Sequence, residues 1–541
     1  MLDSTLSSAE LSSANNTPLS PLRFLARSAS VFPNRVAVIH GDRRYTYKQF
    51  GDEVDRLARV LSSRIEPGDR IAYLSPNTPE MLFAHFAVPL AGGVLVALNS
   101  RLTGSELDYI LDHSGTKILF VDSELVGSAS GARAAVPSLQ EIIEIPDSTI
   151  APPTVPEGVV TGQYSDLLAE AGNLVDAPPL VWGVEDEQQV IAINYTSGTT
   201  GKPKGVMYTH RGAYLNSLGE TFHNGFTGST KYLWTLPMFH CNGWCTPWAV
   251  TQAAATHVCL RAVRADAVWD AIDNIGVTHL CGAPVVCSTI AEAPQAHHVD
   301  ALHITTAGAP PAPSIIAKLE GLGITVVHVY GLTEVYGPYT ICEVQDDWRE
   351  LKSDERAELM SRQGVGMIQA EDARVVDPEM NDVAADGQTM GEIVLRGNNV
   401  MLGYYRDPKA TAEAFAGGWF HSGDLGVMHP DGYIQVKDRA KDIVISGGEN
   451  ISTVEIEQAL MSHPAVLEAA VIGVPHPKWG ERPKAFVIKK KDADVSVEEL
   501  IEYTRSRLAK FKVPDEIVFP LDLPRTPTGK ILKFELRKST A

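Results

Sequence analysis

Short apolar runs alternate with amphipathic stretches through the first third of the chain. Val36-Ala37-Val38-Ile39, Arg70-Ile71-Ala72-Tyr73-Leu74, Val94-Leu95-Val96-Ala97 and Lys117-Ile118-Leu119-Phe120-Val121 read as strands. Between them, Thr46 to Ser63 and Glu80 to Ala91 carry helical spacing, and Ser105 reads as the cap of a further helix. Strands that alternate with helices predict parallel sheets covered by helices. The Pro-, Gly- and Thr-rich residues 146–163 predict a surface loop. The alternation resumes as far as a late strand, Val326-Val327-His328-Val329, and Asp346 to Gln363 predicts a charged, solvent-facing helical excursion.

From Arg374 the pattern changes to short strands and turns. Ile393-Val394-Leu395 is one such strand. Gly426-Val427-Met428 and Tyr433-Ile434-Gln435-Val436 pair across Pro430-Asp431-Gly432, a hairpin turn by its chemistry. A small antiparallel barrel over about 366–437 is expected from this rhythm. Lys437 to Asp442 reads as a charged linker. After it come a helix from Thr453 to Ser462, strands at Glu468 to Ile472 and Ala485 to Ile488, and a helix from Val497 to Leu508. The predicted fold is α/β. It has a disordered tail over 1–20, a large domain of helix-covered mixed or parallel sheets over 21–440, and a small mobile α+β domain over 441–541.

Composition narrows this picture. A chain of 541 residues is too long for one hydrophobic core. The net charge of −20 argues against a general nucleic-acid or anionic-membrane partner. From Asp438 onward 17 Lys and Arg face 16 Asp and Glu, so the acidity belongs to the body of the chain. Six cysteines give no disulfide framework, and Cys241 and Cys245 read as free thiols in a pocket or core. No apolar run is long enough to span a membrane. Residues 1–20 lack the basic start and apolar stretch of a signal peptide, and Ser539-Thr540-Ala541 is not a peroxisomal Ser-Lys-Leu address, so a cytoplasmic location is expected. A homodimer is an expectation from size and acidity alone.

The chemistry centres on Tyr195-Thr196-Ser197-Gly198-Thr199-Thr200-Gly201-Lys202-Pro203-Lys204-Gly205. Its glycines let backbone approach a ligand closely, its hydroxyls donate without charge, and its lysines add positive points, which suits a polyphosphate. It is not a Walker A loop: two residues, not four, separate Gly198 from Gly201-Lys202, and Pro203 follows. A flexible polar linker is the competing explanation. Tyr330-Gly331-Leu332-Thr333-Glu334 follows the late strand, where α/β sheets place ligands. Tyr330 offers a face for a purine and Glu334 a carboxylate for Mg²⁺. A strand-end turn with a surface acid is the alternative. In Ser422-Gly423-Asp424-Leu425-Gly426 a carboxylate between glycines suits two ribose hydroxyls, although a turn Asp is common.

Together and in this order, these motifs resemble those of the adenylate-forming superfamily: acyl-CoA synthetases, adenylation domains of peptide synthetases and luciferases. The resemblance runs from about residue 25 to the C-terminus. It implies that Thr196, Ser197, Gly198, Thr199, Thr200 and Lys204 hold ATP phosphates, with Thr196 and Glu334 at Mg²⁺. It places Gly308, Ala309 and Pro310 against the adenine and the acyl group, with Tyr330, Gly331 and Thr333 also on the nucleotide. Asp424 and Arg439 fall on the ribose, Lys441 at a hinge, and Ser446, Gly447 and Gly448 on the coenzyme A side. Lys530, in Pro527-Thr528-Gly529-Lys530-Ile531, matches the adenylation lysine. His240 falls beside the acyl carboxylate, with Trp244 and Tyr336 at the acyl group, and Thr333 and Glu334 join Lys530 and His240 as catalytic residues.

Within the superfamily, Phe239-His240-Cys241-Asn242-Gly243-Trp244-Cys245-Thr246-Pro247-Trp248 resembles short- and medium-chain acyl-CoA synthetases, including methylmercaptopropionate–CoA ligases and plant acyl-activating enzymes. If the run is helical, Trp244 lies one turn along from His240 on the same side and limits depth; Trp248 is equally well explained as core. The implied activity is AMP-forming ligation of a short- or medium-chain carboxylic acid to coenzyme A, with MgATP. A ligase loading a carrier-protein phosphopantetheine, an aryl-acid CoA ligase and a non-catalytic nucleotide binder are the alternatives.

Overall fold

The computed structural model describes the whole chain except residues 1–14, 175–178, 197–201, 309, 310, 312, 440, 447, 448, 492, 526–530 and 541. Two large sheets form the body. The nine-stranded sheet runs in the order Val365–Gly366, Gly337–Ile341, Thr325–Leu332, His303–Thr306, His279–Gly282, Lys231–Leu233, Thr256–Val258, Val36–His40, Arg43–Thr46. Its five central pairings from Thr325–Leu332 to Val36–His40 are parallel, and antiparallel strands flank them. The eight-stranded sheet runs Gly403–Tyr404, Gly205–Thr209, Val190–Tyr195, Val94–Leu98, Arg70–Leu74, Thr116–Asp122, Glu141–Ile145, Gly162–Gln163, parallel from Val190–Tyr195 onward.

The predicted helices form where capping and spacing agree. Tyr47–Ser62 starts at a capping box between Thr46 and Gln49 and buries Phe50, Val54, Leu57 and Leu61 along one stripe. Pro79–Leu90 is buried at every residue, Glu80 and His85 included, as a helix apolar on almost every side must be. The next helix, Gly104–Ser114, is capped by Thr103 with Glu106 reaching back, so Ser105 lies inside it and is not its cap.

The excursion after residue 345 is a 3₁₀ turn, Asp346–Glu350, and a short helix, Ser353–Met360. It is not purely solvent-facing. Trp348, Ala357 and Met360 are buried, and Arg362 lies over the rings of Trp348 and Tyr433. Charge density along this stretch concealed three apolar anchors.

The expected barrel region holds a four-stranded antiparallel sheet, Arg374–Val376, Met390–Leu395, Phe420–Met428 and Ile434–Arg439 in that order. Met428 pairs with Ile434 across the predicted Pro-Asp-Gly turn. Among the described residues no ladder joins the three-residue first strand to the last, so the sheet is open. The supposed linker at Lys437 is still strand as far as Arg439. Beyond it lies a smaller domain, a five-stranded sheet whose core includes Val444, Ile456, Leu460, Val471, Val487 and Leu500.

Candidate active site

The predicted phosphate loop is flanked by Val190–Tyr195 and Gly205–Thr209, antiparallel neighbours. Ser197, Gly198, Thr199, Thr200 and Gly201 lie outside the described residues. The neck is tied: the Thr196 amide donates to the Lys204 carbonyl at 3.0 Å, and the Lys204 amide to Thr196 Oγ1 at 3.3 Å. The Lys204 ammonium sits 4.5 Å above the centre of the Tyr404 ring. The Tyr404 hydroxyl donates to Glu334 Oε1 at 2.9 Å, so one phenol joins the loop lysine to the motif carboxylate. Burial, then the Glu334 charge, push the Tyr404 phenol well above its ordinary pKa, so it stays a donor. Sequence reasoning missed Tyr404. It sits on a two-residue edge strand whose pairing with Gly205–Thr209 is nonlocal, and no periodicity marks so short a strand.

The predicted ribose cluster is built by register. Asp424 and Arg439 face each other across the ladder, with Arg439 Nε 2.7 Å from Asp424 Oδ1, and Tyr330 donates to Asp424 Oδ2 at 2.6 Å. Burial works against the Arg439 charge, but Asp424, Tyr330, Glu334 and Asp442 together outweigh it and raise the guanidinium pKa. Both Asp424 oxygens are therefore engaged already. Each carboxylate oxygen keeps a second lone pair, through which a ribose hydroxyl can donate. The Arg439 charge feels Tyr330 and Glu334 as well as Asp424, so the two ends form one electrostatic unit.

Gly331 and Gly337 are needed where the chain reverses. A Cβ on Gly331 would lie 1.8 Å from the Gly337 carbonyl oxygen, and one on Gly337 would lie 2.6 Å from Trp244 Cδ1. The Tyr208 hydroxyl donates to the Thr333 carbonyl at 2.6 Å. Tyr336, expected at the acyl group, is fully buried, stacks on Tyr208 at 3.9 Å and accepts from the Thr209 amide at 2.7 Å. It braces the hairpin from behind.

The His240–Trp244 run is not a right-handed helix. Cys241, Asn242, Gly243, Trp244 and Cys245 have φ of 52°, 47°, 55°, 56° and 61°, a single left-handed turn. The Gly243 amide donates to the His240 carbonyl at 2.9 Å and the Cys245 amide to the Asn242 carbonyl at 3.0 Å. Asn194 clasps Asn242 from the neighbouring strand, its Oδ1 accepting from the Asn242 amide at 3.1 Å and its Nδ2 donating to Oδ1 at 2.6 Å. Helical spacing therefore does not relate Trp244 to His240. Trp244 instead packs into the space left by Gly337, while the Cys241 thiol lies 3.7 Å from His240 Nε2 and 3.5 Å from Thr333 Oγ1. Trp248 is core, donating to the His85 carbonyl.

Behind this turn lies Glu220, fully buried, with Oε2 accepting from Asn224 at 2.9 Å and Oε1 without a partner among the described residues. Burial pushes its carboxyl up from 4.5 to about 8. Between those values the folded chain keeps a proton that the unfolded chain releases, so this group lowers stability as pH rises through that window. Glu220→Gln is therefore expected to raise the melting temperature at pH 8 by a few degrees more than at pH 6, measured by calorimetry.

Of the remaining predicted residues, Gly308 is exposed with φ 96° at the end of strand His303–Thr306, while Ala309 and Pro310 lie outside the described residues. Lys441 is exposed just after the last strand of the four-stranded sheet. Ser446 is buried in the small domain, opposite Gly480, and Gly447 and Gly448 are outside the described residues. Lys530 is outside them too, in a segment bracketed by a bridge between Arg525 and Ile531.

This architecture, with a neck tied at Thr196 and Lys204 and a Tyr–Asp–Arg cluster at the strand ends, is that of an adenylate-forming enzyme. The comparisons agree. Residues 25–405 match the AMP-binding enzyme family and residues 455–530 its C-terminal domain, and the chain belongs to that family. It is 46% identical over 545 residues to an acetate–CoA ligase of Humulus lupulus, covering 97% of this chain and 95% of that protein. It is 44% identical over 548 residues to a peroxisomal acetate/butyrate–CoA ligase of Arabidopsis thaliana, with the same coverage. The o-succinylbenzoate coenzyme A synthetase of Bacillus subtilis, solved with ATP and magnesium, superposes with a TM-score of 0.80 at 28% identity over 95% of this chain and 98% of that one.

Proposed function

We propose that this chain is an AMP-forming acyl-CoA ligase for short- or medium-chain carboxylic acids. The observation that supports the reading is the linked set Lys204–Tyr404–Glu334 and Tyr330–Asp424–Arg439, which would offer a cation, a carboxylate and a ribose contact to one nucleotide. The named activities of the relatives support it.

The substrate carboxylate attacks the α-phosphate of ATP, giving acyl-adenylate and pyrophosphate; coenzyme A thiol then displaces AMP. Two anions must meet in the first step, so fixed positive charge stabilises the transition state most. Lys204 supplies one such charge beside the loop and Lys530 a second. Glu334 and Thr196 fit Mg²⁺: among the described residues Glu334 is held at one oxygen only, and a few protein oxygens suffice when phosphates and water complete the shell. Bound there, the ion offsets phosphate charge. Arg439, held by Asp424, orients the ribose, and His240 faces the acyl carboxylate. For the second step the small domain turns about Lys441, withdrawing Lys530 and bringing Ser446, Gly447 and Gly448 toward the thiol; the pivot marks the domain boundary at 440/441.

AMP release assayed over C2 to C12 and aryl acids, with free coenzyme A and with a holo carrier protein, tests the reading. Turnover with coenzyme A on C2 to C6 acids is expected; turnover with the carrier alone, or on aryl acids alone, would replace it. Trp244→Ala should move the preference toward longer acids, by roughly tenfold in kcat/KM per added methylene accommodated. Tyr404→Phe should raise the Mg²⁺ concentration for half-maximal adenylation about two- to tenfold, in a titration at fixed ATP, because Glu334 loses the hydrogen bond that aims it. Cytoplasmic action and a homodimer belong to the same proposal, although several relatives are named peroxisomal. Fractionation and sedimentation check these two points.

A further inference from the structure

The last strand of the large domain ends in Lys437, Asp438 and Arg439, immediately before the proposed pivot. Two residues there are gripped from beyond it. Ser452 Oγ donates to the Lys437 carbonyl. Asp438, 2% exposed, accepts at Oδ2 from the Thr453 amide at 2.5 Å and from Thr453 Oγ1 at 2.6 Å. Thr453 opens the helix Thr453–Met461, so this carboxylate caps the N-terminus of a helix belonging to the other domain.

A third member completes the grip. Lys533 Nζ donates to Thr453 Oγ1 and lies 2.8 Å from Glu457 Oε1, and its ammonium is buried. Burial opposes the Lys533 charge, but Glu457 and then Asp438 outweigh it. A lysine placed so is an expensive surface anchor but an effective internal cross-link, because an unpaired charge left there would be strongly disfavoured. It stands three residues after Lys530 in the sequence.

The chain order gives this network its meaning. Asp438 precedes Lys441, whereas Thr453, Glu457 and Lys533 follow it. Any large rotation about Lys441 carries the second group away from the first. The hydrogen bonds to Asp438 therefore belong to one domain arrangement and break in the other.

We infer that Thr453 and Lys533 are positioning residues that, through Asp438, hold the domain arrangement of this structure and thereby set the balance between the two half-reactions. The inference rests on the two-step ligase reading. Neither residue touches substrate; each acts through Asp438, next to the ribose contact Arg439.

The test uses the full-length chain. Pyrophosphate exchange and thioester formation from supplied acyl-adenylate are measured separately for Thr453→Val, Lys533→Met and Lys533→Arg. Thr453→Val keeps shape and amide while removing one hydrogen bond to a buried carboxylate, and Lys533→Met removes the charge. Both are expected to change the ratio of the two half-reaction rates by about tenfold from that of the unmodified enzyme, in the same direction, with Lys533→Arg close to the unmodified ratio. Equal loss of both half-reactions, or an unchanged ratio, overturns the inference. If Lys533→Met does not fold, the ratio in Thr453→Val is decisive. An unmodified enzyme that carries out neither half-reaction on any acid refutes the ligase reading itself, a result separable from the others.

Discussion

Lys530→Ala is expected to lower pyrophosphate exchange by about 10²- to 10³-fold while leaving thioester formation from supplied acyl-adenylate within about threefold of the unmodified enzyme. The reason is electrostatic. Joining a carboxylate to a phosphate brings like charges together, and a compact ammonium on a flexible stem can follow the charge as it moves. Thiol attack on the adenylate has no such pair of anions to reconcile. Arg525 and Ile531, which flank residues 526–530 in the sequence, are bridged, and the small domain's core includes Val471, Val487 and Leu500. Equal loss of both half-reactions would remove Lys530 from its proposed role.

Gly331→Ala should be among the most damaging substitutions that add only a methyl group. The new carbon would lie 1.8 Å from the Gly337 oxygen and 2.8 Å from its carbonyl carbon, and both belong to backbone that cannot rotate aside. The hairpin must open. That should cost about 3 kcal/mol or more, at the upper end for overpacking. The loss would also reach chemistry, because the same hairpin carries Tyr330 on one side and Glu334 on the other. A fall of several degrees in melting temperature, accompanied by a rise in KM for ATP, is the expected pair of results. A variant with unchanged thermal unfolding would show that the two backbone segments do not meet in solution.

Much of this was legible in the sequence because the signals were local. Strand runs such as Val94-Leu95-Val96-Ala97, the caps of Tyr47–Ser62 and the Pro-Asp-Gly turn act over a few residues, and the structure forms them with shifts of a residue or two. The nucleotide motifs were legible for the same reason, since each is a contiguous string. What failed was nonlocal. Tyr404 reaches Glu334 only because a two-residue strand pairs with Met207 and Val206. Tyr336, although next to a motif, is claimed by Tyr208 and Thr209 from another strand. The backbone sense at Asn242 depends on Asn194, 48 residues earlier.

That left-handed turn makes the proposed wall of the acyl site unusual material for redesign. Four of its five residues carry a side chain in a conformation that strains L-amino acids by about 1–2 kcal/mol each. Enlarging the cavity at Trp244 is thus two operations in one, a change of volume and a change of backbone tension. Glycine at that position would release tension as it opens space, whereas alanine would open space alone. Variants chosen for longer acids should accordingly favour glycine over residues of intermediate size, and evolutionary drift toward broader substrate range has a route here that need not weaken the scaffold.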